Sequence, residues 1–336
     1  MSEENNLVVE KMLMDIQEIL DNKIRGLPPG VHSDGLRAVK LHIDAAVRHY
    51  LRGQAEPDQT LFTDVIFRCN QAFEGSIKEA YRVIAGKDPS KVEPYKIEKF
   101  LAGNNILREK VLNQFTRYRQ EWRNPATHDY TLDFDEGEAL VAISSVTVFA
   151  IVLADQIDSK IAFDEAASKA SAPLVRASEE DESLLDIVSK LVLNFANAYS
   201  PVDGLEYSRR NEYNRLEGAL AGFLSAELIK NSDFRVIQEA RIGEFRADIL
   251  VERGGEKVGV EVLIRADQGS LNYLRSYENR AIMKAALYVN PKDFVGSVIL
   301  IFSNDGSDFE VKSVDNGLSN LVRIVSRKPL HQASID

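Results

Sequence analysis

The chain has 336 residues, 44% of them hydrophobic and 28% charged, with a formal net charge of −11 and a pI of about 5.1. That length exceeds what one core usually organises and predicts two domains, and the acidic balance excludes a nonspecific nucleic-acid coat, which is basic because neutralised phosphates drive such binding. The single cysteine, Cys69, excludes an internal disulfide and a multi-cysteine zinc site. The start, "MSEENNLVVEKMLMDIQEIL", has neither a basic n-region nor a cleavable apolar core. The chain also carries no long uncharged apolar run, so the expectation is a cytoplasmic protein that does not enter a membrane.

Residues 1–160 read as helices. "GLRAVKLHIDAAVRHYL" (35–51) and "TLFTDVIFRCNQAFEGSIKEAYRVIAG" (60–86) carry apolar residues at helical spacing, and Gly86 supplies a stop. A short helix, "KIEKFLAG", and a long amphipathic one, "NNILREKVLNQFTRYRQEW" (104–122), follow. The next helix is expected over 135–157, with Asp135 as N-cap and Glu136 and Glu138 favoured by the helix dipole in its first turn. It is apolar nearly all round, which predicts a central position. The stretch after it is polar, alanine- and serine-rich and then acidic, and reads as a linker over 161–183, with a frayed helix in it as the alternative.

Beyond the linker, "LLDIVSKLVLNFANAY" (184–199) and "NEYNRLEGALAGFLSAELIKN" (211–231) read as two helices. The period then changes. "FRVIQEA" (234–240), "FRADILVER" (245–253) and "KVGVEVLI" (257–264) alternate and read as strands, with "RGGEK" as a tight hairpin between the last two. A helix over about 268–287, a buried strand "SVILIFS" (297–303), the strand "FEVKSV" (309–314) and a last helix over about 316–325 complete the pattern. The fold class is therefore multidomain, an all-helical bundle over 1–160 followed by an α/β domain with a mixed central sheet over 184–330.

One loop concentrates polar chemistry. "EWRNPATHDY" (121–130) places Arg123, Asn124 and His128 beside the only tryptophan, Trp122, in a proline-broken stretch between two helices. On the residues alone two readings stand. Arg123 can fasten the loop to Asp129, Asp133 or Asp135 while His128 caps a helix, or the cation and the imidazole can act on a substrate. The arrangement Arg123-Asn124-Pro125-Ala126-Thr127-His128, with "NQAFEGSIKEAY" upstream, resembles the HEPN superfamily, whose helical bundles carry an R-x4-6-H motif. The resemblance covers about residues 30–160. It implies a metal-independent endoribonuclease with a composite site between two protomers, hence a homodimer or higher oligomer with RNA as substrate. Such proteins often serve phage defence, abortive infection or toxin systems. The chemistry suits the residues. RNA brings its own 2′-hydroxyl nucleophile, an imidazole with a pKa near 6.5 can take its proton, and a guanidinium can hold two phosphate oxygens.

A second constellation lies in the strands. Asp248 in "FRADILV", Glu261 in "GVEVLI" and Glu217 in "NRLEGALAGFL" resemble the acidic set of the PD-(D/E)xK restriction-endonuclease-like fold, across about 184–330. That resemblance implies Mg²⁺ held by these carboxylates and DNA as a partner. The family's lysine is missing, because Glu261-Val262-Leu263 puts Leu263 where the E-x-K tripeptide ends. Arg265 or Lys284 are the candidates to replace it. The alternatives to the ribonuclease are thus a Mg²⁺-dependent DNA nuclease, or a non-catalytic nucleic-acid-binding or oligomerisation protein. His32, His42 and His49 lack a third-ligand pattern for a metal, and Cys69 and Trp122 read as core residues.

Overall fold

The computed structural model describes residues 3–56, 58, 60–103, 106–124, 133–169, 182–200, 209–228, 233–242, 245–264, 279, 282–283, 294–303, 308–315 and 321–327. The chain divides into two compact units, residues 1–160 with 204–211, and residues 161–203 with 212–336.

The first unit is helical: α1 (Glu3–Arg25), α2 (Val31–Ala55), α3 (Thr60–Val83), α4 (Pro94–Gly103), α5 (Glu109–Tyr118) and α6 (Glu136–Lys169), the last passing into the second unit from Ile161. The long helix expected over 104–122 has a sharper internal structure. It starts at Glu109 and changes to a π-turn over Arg119–Arg123, closed by the N–H of Asn124 donating to the carbonyl of Arg119. Aromatic rings fill the centre. Phe73 of α3 stacks on Phe115 (5.5 Å) and Tyr118 (4.8 Å) of α5 and meets Phe149 of α6 at 5.3 Å. Burial of such rings is the main stabilising term available to the bundle. The start of α6 is closed by a reciprocal box: Glu138 N–H donates to Asp135 Oδ1 (2.8 Å) and Asp135 N–H donates to Glu138 Oε2 (3.0 Å).

Two expectations change here. Helix α6 runs to Lys169, so the start of the stretch read as a linker is helical, and its Ala162, Phe163 and Ala166 join the second unit's core. The same helix is long and apolar enough, by length and composition alone, to cross a membrane: an 18-residue window has a mean hydropathy of 2.1, with half of it buried inside the protein. The uncharged run stops at Asp155, which hid this from a search for unbroken apolar sequence. Asp155 is itself buried and ion-paired with Lys23 of α1.

The second unit packs α7 (Leu184–Ala198) and α8 (Arg209–Leu228) on a six-stranded mixed sheet of β1 (Phe234–Ile242), β2 (Phe245–Arg253), β3 (Glu256–Ile264), β4 (Phe294–Phe302), β5 (Phe309–Asp315) and β6 (Leu321–Arg327), in the order β1-β2-β3-β4-β6-β5. Strands β1, β2 and β3 are antiparallel neighbours, β3, β4 and β6 are parallel, and β5 returns antiparallel to β6. The β2–β3 turn is Gly254-Gly255 with φ of 56° and 94°, the left-handed conformation that a two-residue hairpin demands. Strand β4 is buried on both faces: Val298, Leu300 and Phe302 enter the core under α7 and α8, while Ile299 and Ile301 join Val322 and Ile324 on the other side. An unbroken apolar run is what a doubly covered parallel strand requires.

The last helix expected over 316–325 is not formed at its C-terminal part. Leu321–Arg327 is β6, with Val322 and Ile324 facing one core and Val325 the other. Its apolar residues fit either period, and the β-branched content favours the strand. The helix expected over 268–287 lies almost wholly outside the described residues.

Candidate functional site

In the first unit the site-bearing element is the π-turn. Inserting one extra residue per turn displaces the backbone, and such π-turns recur where a side chain must be re-aimed. Trp122 is 7% exposed and lies against Phe134 at 6.3 Å, anchoring the turn. Asn124, next in the chain, is exposed. Arg123 is half-buried and ion-paired to carboxylates from two other helices: its Nε stands 3.2 Å from Glu98 Oε1 on α4, and its Nη2 stands 3.8 Å from Glu74 Oε1 on α3. Loop-fastening by Asp135 is replaced in practice by the helix cap described above. His128 lies outside the described residues.

Glu98 is 4% exposed. Burial raises its pKa above the ordinary carboxylate value, the charges of Arg123 and Arg119 oppose that rise, and Glu74 adds to it. The first and last residues of the π-turn, Arg119 and Arg123, therefore both act on one buried carboxylate. The guanidinium of Arg119 also lies 5.4 Å from the centroid of the Phe115 ring. Sequence reading missed Arg119, Glu98 and Glu74. Glu74 stands inside the quoted "NQAFEGSIKEAY", but nothing in its spacing links it to Arg123.

In the second unit the three predicted carboxylates all act on one hydroxyl, that of Tyr213. Tyr213 and Glu217 are one turn apart on α8. The hydroxyl of Tyr213 donates to Asp248 of β2, and Glu217 and Glu261 act on it electrostatically. Burial, first, and these carboxylates push the Tyr213 phenol far above its usual value. The β2–β3 pairing ends at Ile249–Val260. Just beyond it Asp248 Oδ2 accepts from the Val262 N–H at 2.8 Å. Glu217 and Glu261 are each 2% exposed. Among the described residues, no three His, Cys, Asp or Glu side chains converge on one point that would hold a metal ion. Tyr213 O–H and Val262 N–H both donate to Asp248, so the acids form a hydrogen-bonded cluster.

Leu263 packs against the Ile299, Ile301, Val322 and Ile324 cluster, so the position of the missing lysine is apolar. Arg265 and Lys284 lie outside the described residues. A separate groove between the second unit's helices is lined by Ala166, Phe195, Tyr199 and Phe223, with the Arg215–Glu165 ion pair (3.0 Å) at its wall. None of the predicted site residues lines it.

The remaining singled-out residues are bland. Cys69 is fully buried, and burial drives its thiol pKa well above the ordinary value. His42 has its pKa lowered, by burial first and by Arg68 second, so it is disposed to stay neutral. His32 Nε2 contacts the Pro28 carbonyl at 3.0 Å. No family model matches the chain, and neither a curated protein nor a solved structure is significantly similar to it.

Proposed function

We propose that the protein is a metal-independent endoribonuclease of the HEPN type, acting as a dimer of its N-terminal bundles, with Arg123, Asn124 and His128 at the reacting centre. The observation that supports it best is the local geometry of Arg123. Two carboxylates hold its side edge, and it sits at the end of a π-turn immediately before an exposed Asn124. A guanidinium fixed on one edge by protein carboxylates is pre-oriented for a phosphate on another. In the proposed reaction His128 takes the proton of the 2′-hydroxyl, and the 2′-oxygen attacks phosphorus. Arg123 stabilises the charge gained by the phosphate oxygens. The 5′-oxygen leaves and is protonated, giving a 2′,3′-cyclic phosphate and a 5′-hydroxyl. Dimerisation is favoured by apolar side chains left exposed on the bundle, among them Val141 and Val148 on α6, Leu41 and Phe67. The C-terminal domain then serves sensing, nucleic-acid binding or assembly, and a place in phage defence or a toxin system belongs to the same proposal.

The test is a gel assay of the full chain on total RNA and on DNA, with Mg²⁺ and with EDTA. RNA cleavage that survives EDTA and is abolished by His128→Ala at an unchanged melting temperature is the expected result; loss of a positioned base costs roughly 10²–10⁴-fold. His128→Ala cleaving at the wild-type rate would refute the proposal. A second reading, Mg²⁺-dependent DNA cleavage by Glu217, Asp248 and Glu261, is favoured by the gathering of these acids about Tyr213. It predicts DNA cleavage that EDTA and Glu261→Ala both abolish.

A further inference from the structure

Two buried hydrogen-bond donors on the π-turn have no partner among the described residues. Arg119 Nε is buried and has no hydrogen-bond partner, and the same holds for the indole Nε1 of Trp122, whose residue is only 7% exposed. Buried donors are nearly always paired, so an unpaired pair on one turn calls for an acceptor that the described residues do not supply. The nearest charged acceptor fits poorly. Glu98 Oε1 is buried, stands 3.2 Å from Arg123 Nε and yet accepts no hydrogen bond. Charge holds this contact together and directional bonding does not. Geometry explains why. The one carboxylate of α4 is in contact with Arg123 and acts by charge on Arg119 of the same turn, and Glu74 of α3 approaches Arg123 at Nη2. Two cations and two carboxylates leave the cluster neutral overall.

An RNA phosphate differs from a carboxylate in ways that match this mismatch. It offers non-bridging oxygens spread over a tetrahedron, so that two guanidinium groups can each take their own oxygen. The guanidinium of Arg119 lies near the Phe115 ring in a cation–π contact, while its buried Nε has no partner.

We propose that Arg119 is a second phosphate-contacting residue beside Arg123, and that Glu98, whose carboxylate holds the Nε edge of Arg123 and acts on Arg119 by charge alone, competes with RNA phosphate for these cations. The inference rests on the ribonuclease reading above and adds to it a residue outside the R-x4-6-H motif. Glu98 thereby sets a threshold for binding: RNA must outcompete a carboxylate already in place. Arg119 raises the number of phosphates engaged per site by one.

The experiment measures binding of the full chain to a fluorescein-labelled 2′-O-methyl oligoribonucleotide of mixed sequence, which lacks the nucleophilic hydroxyl and cannot be cut. Anisotropy is followed through a KCl titration for wild type, Arg119→Gln, Arg119→Lys, Glu98→Gln and Glu98→Asp, each checked for its melting temperature. Arg119→Gln is expected to weaken binding about tenfold and to reduce the salt slope by about 0.7, the value of one single-strand phosphate contact. Arg119→Lys should keep the slope while losing a few-fold in affinity. Glu98→Gln should tighten binding several-fold and lower KM for a cleavable RNA. Glu98→Asp, which keeps the charge should the amide fail to fold, should bind as wild type does. An unchanged affinity and slope in Arg119→Gln overturns the proposal. So does weaker binding in Glu98→Gln that tracks a fall in melting temperature and is restored by Asp, because that is the behaviour of a purely structural pair. If wild type binds the oligonucleotide but cuts no RNA, the ribonuclease reading fails while the binding comparison still decides the role of Arg119. If wild type cleaves with His128 dependence and Arg119→Gln is silent, only this inference fails. No binding by wild type overturns both.

Discussion

Replacing Arg123 by alanine removes more than a candidate catalytic group. It takes the cation away from Glu98, a carboxylate 4% exposed whose pKa burial already raises. Breaking a buried ion pair from one side typically costs about 3–5 kcal/mol, because the remaining charge is left desolvated. Here the lower end applies, about 3 kcal/mol, since the Arg123 side chain is 15% exposed and Arg119 still acts on Glu98. The Glu74 contact adds little, because that side chain is 37% exposed and its 3.8 Å contact is screened by solvent. The pH dependence has a definite sign. A carboxylate whose folded pKa lies above its unfolded value favours folding while protonated, so its contribution is full below the unfolded pKa and is lost as pH rises through the folded pKa. Arg123 opposes that upward shift. Without it the folded pKa moves further up, and the loss of stability becomes largest at neutral pH and fades in mild acid.

Urea denaturation of wild type and Arg123→Ala at pH 7 and near pH 4.5, with a Glu98→Gln partner to close a double-mutant cycle, measures this. The single variant is expected to lose about 3 kcal/mol at pH 7 and markedly less in acid. The double variant should recover most of the loss, since a neutral amide needs no cation. A loss under about 1 kcal/mol at both pH values would mean that the Arg123–Glu98 contact carries no buried charge, and the site geometry derived from it would fall. The same reasoning explains why activity alone cannot judge Arg123: its substitution lowers stability and catalysis together, whereas His128→Ala reports on the chemistry.

Two further substitutions probe the second unit. Gly222→Ala on α8 would set its Cβ 2.2 Å from the Phe163 carbonyl oxygen, a backbone atom that cannot rotate aside; overpacking of about 3 kcal/mol, less about 1 kcal/mol of improved helix propensity, predicts a net loss near 2 kcal/mol, and a stabilised variant by thermal melt would show that the end of α6 does not pack there. Leu263→Lys puts a cation against Ile299 and Ile301; the position is half-buried, so the ammonium can reach water and the cost should be about 1–2 kcal/mol, with no Mg²⁺ binding by calorimetry. Mg²⁺-dependent DNA cleavage appearing in that variant would instead identify the acids as a metal site lacking only its cation.

Most elements were legible because their periods are unambiguous. The strand β4 reads "SVILIF" and the hairpin reads "RGGE", and each allows one conformation. Failures occurred where local sequence fits two states. "LVRIV" satisfies a helical and a strand pattern, and its choice is made by pairing with β4 and β5, both distant in sequence. The continuation of α6 to Lys169 was hidden because "SKIAFDEAASK" has the composition of a linker, while its Ala162 and Phe163 find partners only once α7 and α8 exist. The π-turn is not readable either, since "RQEWR" continues a good helical pattern.

The two candidate sites divide along the same line. Residue types with a chemical role stand out in the sequence: Arg123, His128, Asp248, Glu261. The groups that set their charge do not. Glu98 looks like an ordinary member of "KIEKFLAG", and Tyr213 in "NEYNRLEG" looks like a core aromatic. Each becomes decisive only when a helix from elsewhere brings it against the site. This changes what the net charge of −11 means for RNA. The global figure argues against a nucleic-acid surface, but under the proposed ribonuclease reading binding would depend on the local balance at the π-turn, where the charges of Arg119 and Arg123 meet those of Glu74 and Glu98. A neutral cluster of that kind neither attracts RNA from a distance nor repels it. In the proposed reaction it would exchange one anion for another at contact, and specificity would then come from the shape of the bound phosphate and the bases beside it.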